Sequence, residues 1–250
     1  MEVHLPKPLQ GWREFVGEVG IIVLGVLIAL GAEQVAEYLH QRAQLREAED
    51  AMTAELRDDD LPQAFTRMAI YNCYSNELDA IENAAASGDR DKFLTLARNY
   101  KPVFRTWDDE AWKAALASQV LVSTGSKRMI GWSAPYILVA LLSQSANEES
   151  QGLPKLQARL SGDGPISAAQ QDRLFQVIAD LRRQNRGMAL TSLILLGVAG
   201  HHGLILAPPT KQALLGEARA KYGTCVEELS PEKLNFHSQL SYVNGALGKE

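Results

Sequence analysis

Residues 19–32 read VGIIVLGVLIALGA, fourteen positions without a charge. A spanning helix needs about 20 apolar residues, so this core is short by itself. The flanks lengthen it: Phe15, Val16 and Gly17 precede Glu18, and Gln34, Val35 and Ala36 follow Glu33. From Phe15 to Ala36 a helix rises roughly 33 Å at about 1.5 Å per residue, enough to cross a hydrocarbon core. Trp12 and Arg13 stand just outside, where an interfacial aromatic and a snorkelling cation belong.

At about 100° per residue the segment has two unlike sides. One carries Gly17, Glu18, Gly25, Ala29, Ala32, Glu33 and Ala36; the other carries Val19, Val23, Val26, Leu27 and Leu30. The two glutamates lie roughly 22 Å apart along the axis, near the edges of the hydrocarbon. Small residues let a second helix come close, and Gly25-x-x-x-Ala29 has the spacing for it, whereas the large aliphatic side suits lipid. The small-residue side is therefore expected to pack on another transmembrane helix, from a second copy or from a partner protein. Two other readings compete with a spanning anchor. A cleaved signal peptide would use Ala29 and Gly31, but Glu14 and Glu18 spoil a basic leading region. A buried helix of a folded domain also produces short apolar runs. Lys7 and Arg13 lie before the segment, and Arg42 and Arg46 lie after it among Glu37, Glu47 and Glu49. The bias toward a cytoplasmic amino terminus is slight.

The chain of 250 residues is 46% hydrophobic and 22% charged, which excludes a disordered or collagenous chain and a disulfide-dense miniprotein. A net charge of −5 without a basic stripe argues against nucleic acid as a partner. Mean hydropathy of −0.14 excludes a polytopic membrane protein. The expected organisation is an N-terminal tail (1–14), a transmembrane helix (15–36), a stalk helix (37–60) and a helical domain (61–250). Glu33 to Arg57 is rich in strong helix formers. Tyr38, Leu45 and Met52 repeat every seven, but Arg42 and Glu49 occupy the alternate positions, so docking on the chain's own domain is favoured over a coiled coil. Asp58-Asp59-Asp60-Leu61-Pro62 reads as a break and a new helix start.

Further helices are expected from Pro62 to about Ala86, from Asp89 to Asn99, and from Thr106 with Trp107, Trp112, Leu116 and Val120 on it. Ser126 to Ser145 reads helical with a kink near Pro135. Gln151 to Pro165 is linker-like. Ser167-x-x-Gln170 is a capping box, followed by Leu174, Ile178 and Leu181 at helical spacing. Gly187 to Ala207 reads as the buried central helix, Lys211 to Leu229 as the next, and Ser230-Pro231-Glu232 starts the last. No strand-period run stands out, and the fold class is all-α.

The opening LPKPLQGWREFVGEVGIIVLGVLIALGAEQ resembles an uncharacterised family of proteobacterial single-pass inner-membrane proteins. The likeness rests on Trp12-Arg13-Glu14-Phe15 leading into a Gly-rich Ile/Val/Leu helix, and more loosely on Trp112 to Gly125. It covers roughly the first 40 residues. It implies an inner-membrane anchor and carries over no activity and no functional residues.

Chemistry is sparse. Cys73 and Cys225 are too few for a thiolate metal site, but in an oxidising compartment they can pair; the alternative is two buried thiols. His201-His202 point about 100° apart on a helix, which suits a satisfied helix end better than a metal. Ser123-Thr124-Gly125-Ser126-Lys127 lacks the first glycine of a phosphate loop. Asp58 to Asp60 with Glu55 lack the alternation of a calcium loop and read as a solvated junction. Arg182, Arg183 and Arg186 form the basic cluster; they suit an anionic partner or lipid headgroup, or ion pairs within the bundle. No catalytic, metal or cofactor set is legible. These features point to a membrane-anchored helical interaction or scaffold protein, an accessory subunit or sensor-like module, with a periplasmic C-terminal domain. The alternatives are a membrane-tethered hydrolase with an atypical site and a secreted helical ligand-binding protein.

Overall fold

A computed structural model describes residues 11–103, 105–122, 125–158 and 164–229. The chain forms two compact units, Met1–Glu49 and Asp50–Glu250. Among the described residues it is helical without strands, as the sequence pattern predicts. Helix α1 is Trp12–Glu55. Within the first unit, the described side chains from Phe15 to Gln44 are all exposed, including Ile21 at 73%, Ile22 at 66% and Leu27 at 60%. The helix is long and apolar enough to span a membrane, with a mean hydropathy of 2.4 in its most apolar window. Gly17, Gly20, Gly25 and Gly31 would each weaken a helix in water by about 1 kcal/mol, yet glycine is common in membrane helices.

The expected break at Asp58–Asp60 is a π-helical turn instead, Leu56–Asp60, closed by the Leu61 N–H on the Leu56 carbonyl. Helix α2, Leu61–Ala69, follows directly, with Pro62 in its first turn, where no intrahelical N–H is needed. A proline and three acids suggested a stop, but the same proline is tolerated at a helix start. The inserted residue re-aims the chain so that Leu56, Asp60 and Leu61 all point inward, each 0% exposed.

The second unit is built around α7, Ala168–His201. It packs against α6 (Ser126–Ala158), α2 and α3 (Tyr71–Ala86); α4 (Arg90–Asn99) lies on α3 and α6, and α8 (Pro208–Tyr222) on α2. The buried positions of α7 step by four and three: Leu174, Ile178, Leu181, Asn185, Met188, Ser192, Leu195 and Ala199. They extend the expected stripe through the second apolar run, which is a core helix. The capping box at Ser167 and Gln170 opens it. Gly152 permits the close approach of α6, since a Cβ there would lie 2.7 Å from Leu181 Cδ2.

Several boundaries differ from the sequence reading. Ile70, at φ −92° and ψ 5°, separates α2 from α3 where one helix was expected. Helix α5 is Glu110–Ala117, so Trp107 precedes it and Thr106 is not its cap. Helix α6 runs through Pro135 and Pro154 to Ala158, so the first part of the expected linker from Gln151 is helical, and its residues 159–163 lie outside the described residues. Helix α8 ends at Tyr222 because Gly223, at φ +82°, turns the chain. The tail before Gly11, Ser123-Thr124 and the helix expected from Ser230 lie outside the described residues.

Beyond Gly223 the chain is fastened to α2 and α3. Cys225 is disulfide-bonded to Cys73, with Cα atoms 5.1 Å apart, and Glu227 N–H donates to the Ala69 carbonyl at 3.2 Å. The bond spans 152 residues, so in the chain-entropy view it stabilises by roughly 4–5 kcal/mol. Replacing both cysteines with serine is expected to lower the urea midpoint of the detergent-solubilised chain by that order of free energy. A midpoint matching wild type under oxidising conditions would contradict it.

Candidate functional site

Helix α2 is amphipathic, with Leu61, Ala64, Phe65 and Met68 turned inward, and Arg67 goes in with them, only 6% exposed. A buried guanidinium must be matched by acceptors. Arg67 Nη2 donates to Glu149 Oε1 on α6 at 2.8 Å, and Nη1 donates to Asn185 Oδ1 on α7 at 2.8 Å. Asn185 Nδ2 in turn donates to the Tyr71 carbonyl and Ser75 Oγ on α3, both at 3.1 Å. The guanidinium also lies 4.9 Å from the Tyr74 ring centroid. Burial raises the Glu149 carboxyl above its ordinary range, against the opposing pull of the Arg67 guanidinium. The Tyr74 hydroxyl accepts from Val103 N–H at 2.9 Å and meets the Tyr222 hydroxyl at 3.3 Å. Burial pushes both the Tyr74 and Tyr100 hydroxyls upward. Neither is a phenolate, and the buried Tyr100 hydroxyl has no hydrogen-bond partner. Arg67 and Tyr222 also line a cavity of about 200 Å³ between α2, α8 and the segment joining α4 to α5.

A second polar cluster surrounds the π-turn. Glu55 accepts from the Tyr136 hydroxyl at 2.8 Å and from Ala111 N–H at 2.9 Å. Tyr136 stacks on Trp112 with ring centroids 5.3 Å apart. Asp60 Oδ1 accepts a 3.3 Å bond from Asp108 N–H, while Oδ2 is buried without a partner. Burial is the main reason that the Asp60 carboxyl is pushed up to about 8; the Asp108 N–H opposes this, and nearby Glu55, Asp108 and Asp59 add to it. The sequence reading of a solvated junction therefore holds for Asp58, which is exposed and paired with Arg57 at 2.8 Å, and fails for Asp60.

The remaining candidate residues are dispersed. Gly17, Glu18, Gly25, Ala29, Ala32, Glu33 and Ala36 lie on the exposed length of α1, with nothing within 4 Å of a Cβ placed on Gly17 or Gly25. Arg182 forms ion pairs with Asp79 and Glu82 of α3, and Arg183 pairs with Asp180 at 2.7 Å. Those two arginines thus have carboxylate partners from the same bundle. His202 stacks on Trp132, centroids 4.8 Å apart, with Nε2 3.1 Å from the Gly131 carbonyl, while His201 is exposed. Among the described residues no group of three His, Cys, Asp or Glu is placed to hold a metal ion.

Neither Arg67, Glu149 nor Asn185 stands out in the sequence. A signal was present for Asn185, which interrupts the four-three stripe of α7 between Leu181 and Met188. Comparison with protein-family models, curated proteins and solved structures finds no match.

The Asp60 environment makes stability depend on pH. Its folded value near 8 lies above the ordinary 3.8, so between these limits the native state holds a proton that the unfolded chain releases. Stability is therefore expected to fall as pH rises from about 4 to about 8, then to level off. Asp60→Asn keeps the Oδ1 acceptor and cannot ionise. Its urea midpoint should lie nearest to wild type at about pH 3 and exceed it increasingly toward pH 9, by on the order of a few kcal/mol of unfolding free energy. Parallel midpoints at both pH values would assign the proton elsewhere.

Proposed function

We propose that the chain is a single-pass protein of the bacterial inner membrane whose helical domain faces the periplasm and acts through association, as an accessory subunit, scaffold or sensor-like module. The carrying observation is α1: a continuous helix whose apolar side chains are exposed from Phe15 through Leu39. An apolar surface of that extent is not stable against water and calls for lipid or another helix. The opening segment's resemblance to inner-membrane proteins supports the same reading. The Cys73–Cys225 bond favours an oxidising compartment for the domain, in line with the slight charge bias of the flanks.

The partner surface within the membrane is the side bearing Gly17, Gly25, Ala29, Ala32 and Ala36, flanked by Glu18 and Glu33. Small residues allow backbones to approach, and the two carboxylates, one near each membrane edge, favour a neighbour that can satisfy them. A second copy of the chain meets the first requirement by symmetry.

Two measurements test this reading. Spheroplasts treated with a membrane-impermeant thiol reagent should label the protein in the membrane fraction only after reduction. Free thiols protected until the membrane is lysed would place the domain in the cytoplasm. Replacing Gly25 and Ala29 with leucine should then abolish crosslinking between chains, or to a partner, in native membranes. Undiminished crosslinking would remove α1 as the associating surface.

A further inference from the structure

Helix α5 is held at its start by side chains from outside it. Its N-cap, Asp109, makes no capping bond; that carboxylate pairs with Lys113 at 2.7 Å. First-turn amides find no partner within their own helix. Here Ala111 N–H donates to Glu55 Oε2 of α1 at 2.9 Å. Asp108 N–H, just before the helix, donates to Asp60 Oδ1 of the π-turn at 3.3 Å. Trp107 beside it is buried, and Trp112 stacks on Tyr136. Apolar cover beyond that is thin: of Glu110–Ala117 only Ala115 is buried, and Leu116 is 39% exposed. Residues 105–117 therefore form a strap fastened at its leading end, by carboxylates from the two sides of the π-turn.

The two carboxylates are not alike. Asp60 is fully buried, and its Oδ2 has no partner. The charged groups that act on it are all acids: Glu55 on α1, Asp59 beside it in the turn and Asp108 on the strap. Tyr136 of α6 also faces it, as a neutral hydroxyl donating to Glu55. Of the cations on these elements and on α2, Arg57 pairs with Asp58, Arg67 with Glu149, and Lys113 with Asp109 and Glu110, while Arg105 is exposed. None of them pairs with Asp60. An ionised carboxyl here would be a buried charge without compensation, which an interior removes by neutralising it or by giving it to water.

We propose that Asp60 is a proton-controlled latch on this strap: the neutral acid lets residues 105–117 lie on the π-turn, and loss of its proton lifts them and uncovers Glu55 and Tyr136. The proton passes to water as the strap lifts, and the carboxylate is then solvated. With a closed value near 8 against the ordinary 3.8, the closed strap holds a proton that the open one releases. Opening is therefore favoured about tenfold per pH unit between those limits and levels off above them. The latch goes beyond the anchoring role and does not depend on it, because every residue concerned lies within Asp50–Glu250.

The test is hydrogen–deuterium exchange of the full-length chain in detergent, read by mass spectrometry from about pH 5 to about pH 9 and corrected for the intrinsic exchange rate. Protection of peptides covering 105–117 should fall roughly tenfold per pH unit up to about pH 8 and then level off. At every pH it should lie about tenfold or more below that of peptides from 174–195 on α7, because the strap opens while the core stays closed. Asp60→Asn should hold the strap's protection constant across the range. If that variant does not fold, the wild-type profile decides by itself. The latch is overturned if strap protection is independent of pH, if it equals that of α7, which would mean that the strap leaves only when the domain unfolds, or if Asp60→Asn follows wild type. The labelling and crosslinking outcomes leave this result untouched, so the two readings fail separately.

Discussion

A guanidinium placed inside an apolar core constrains this domain more than any other group. Arg67 enters the interior on the same helix face as Phe65 and Met68, so its charge must be answered where it stands. Glu149 answers it from α6 and Asn185 from α7, and Asn185 directs its own donors to α3. Four helices are thereby held in one register by directional contacts, not by area alone. Such a pair adds little over a well-packed apolar set, but removing one partner costs about 3–5 kcal/mol because the other charge remains buried. The arrangement thus specifies geometry more than it adds stability.

The two units follow opposite solvent rules. In the second, the large apolar side chains Tyr74, Phe93, Leu142 and Leu156 are nearly inaccessible. In the first, Ile21, Ile22, Leu27 and Ile28 remain more than half exposed. A helix with that surface finds its low-energy environment in lipid, where backbone groups are satisfied within the helix itself. The disulfide belongs to the second unit. It ties the segment after α8 back to α3, helped by Glu227 on the Ala69 carbonyl and on the Asn72 side chain.

The π-turn shows how one extra residue changes the chemistry of a junction. Three successive aspartates on a regular helix would be spread around its surface. Here Asp58 stays in solvent while Asp60 is turned beneath the α5 start, beside Glu55 and Tyr136. Burial then makes the neutral acid the favoured form, and a group drawn as an anion in sequence is largely a protonated carboxyl near neutral pH.

Period and composition are local properties, and they were enough to identify the all-α class, the apolar helix near the amino terminus, the capping box at Ser167 and the core helix through Leu195. Each is set by residues a few positions apart, so hydrophobic spacing and capping chemistry carry the information. Where helices stop was less legible: Pro62, Pro135 and Pro154 are breakers by propensity, yet first-turn placement or packing against neighbours overrode them. The meeting of Arg67 with Glu149 and Asn185 is 82 and 118 residues distant along the chain, and Cys73 is 152 residues from Cys225. No local pattern ranks one such distant pairing above another. The sequence by itself determined which residues form helices and which face of each is apolar; only the tertiary structure decided which polar side chains would share an interior, because that depends on how α2, α6 and α7 pack once their apolar faces are buried together.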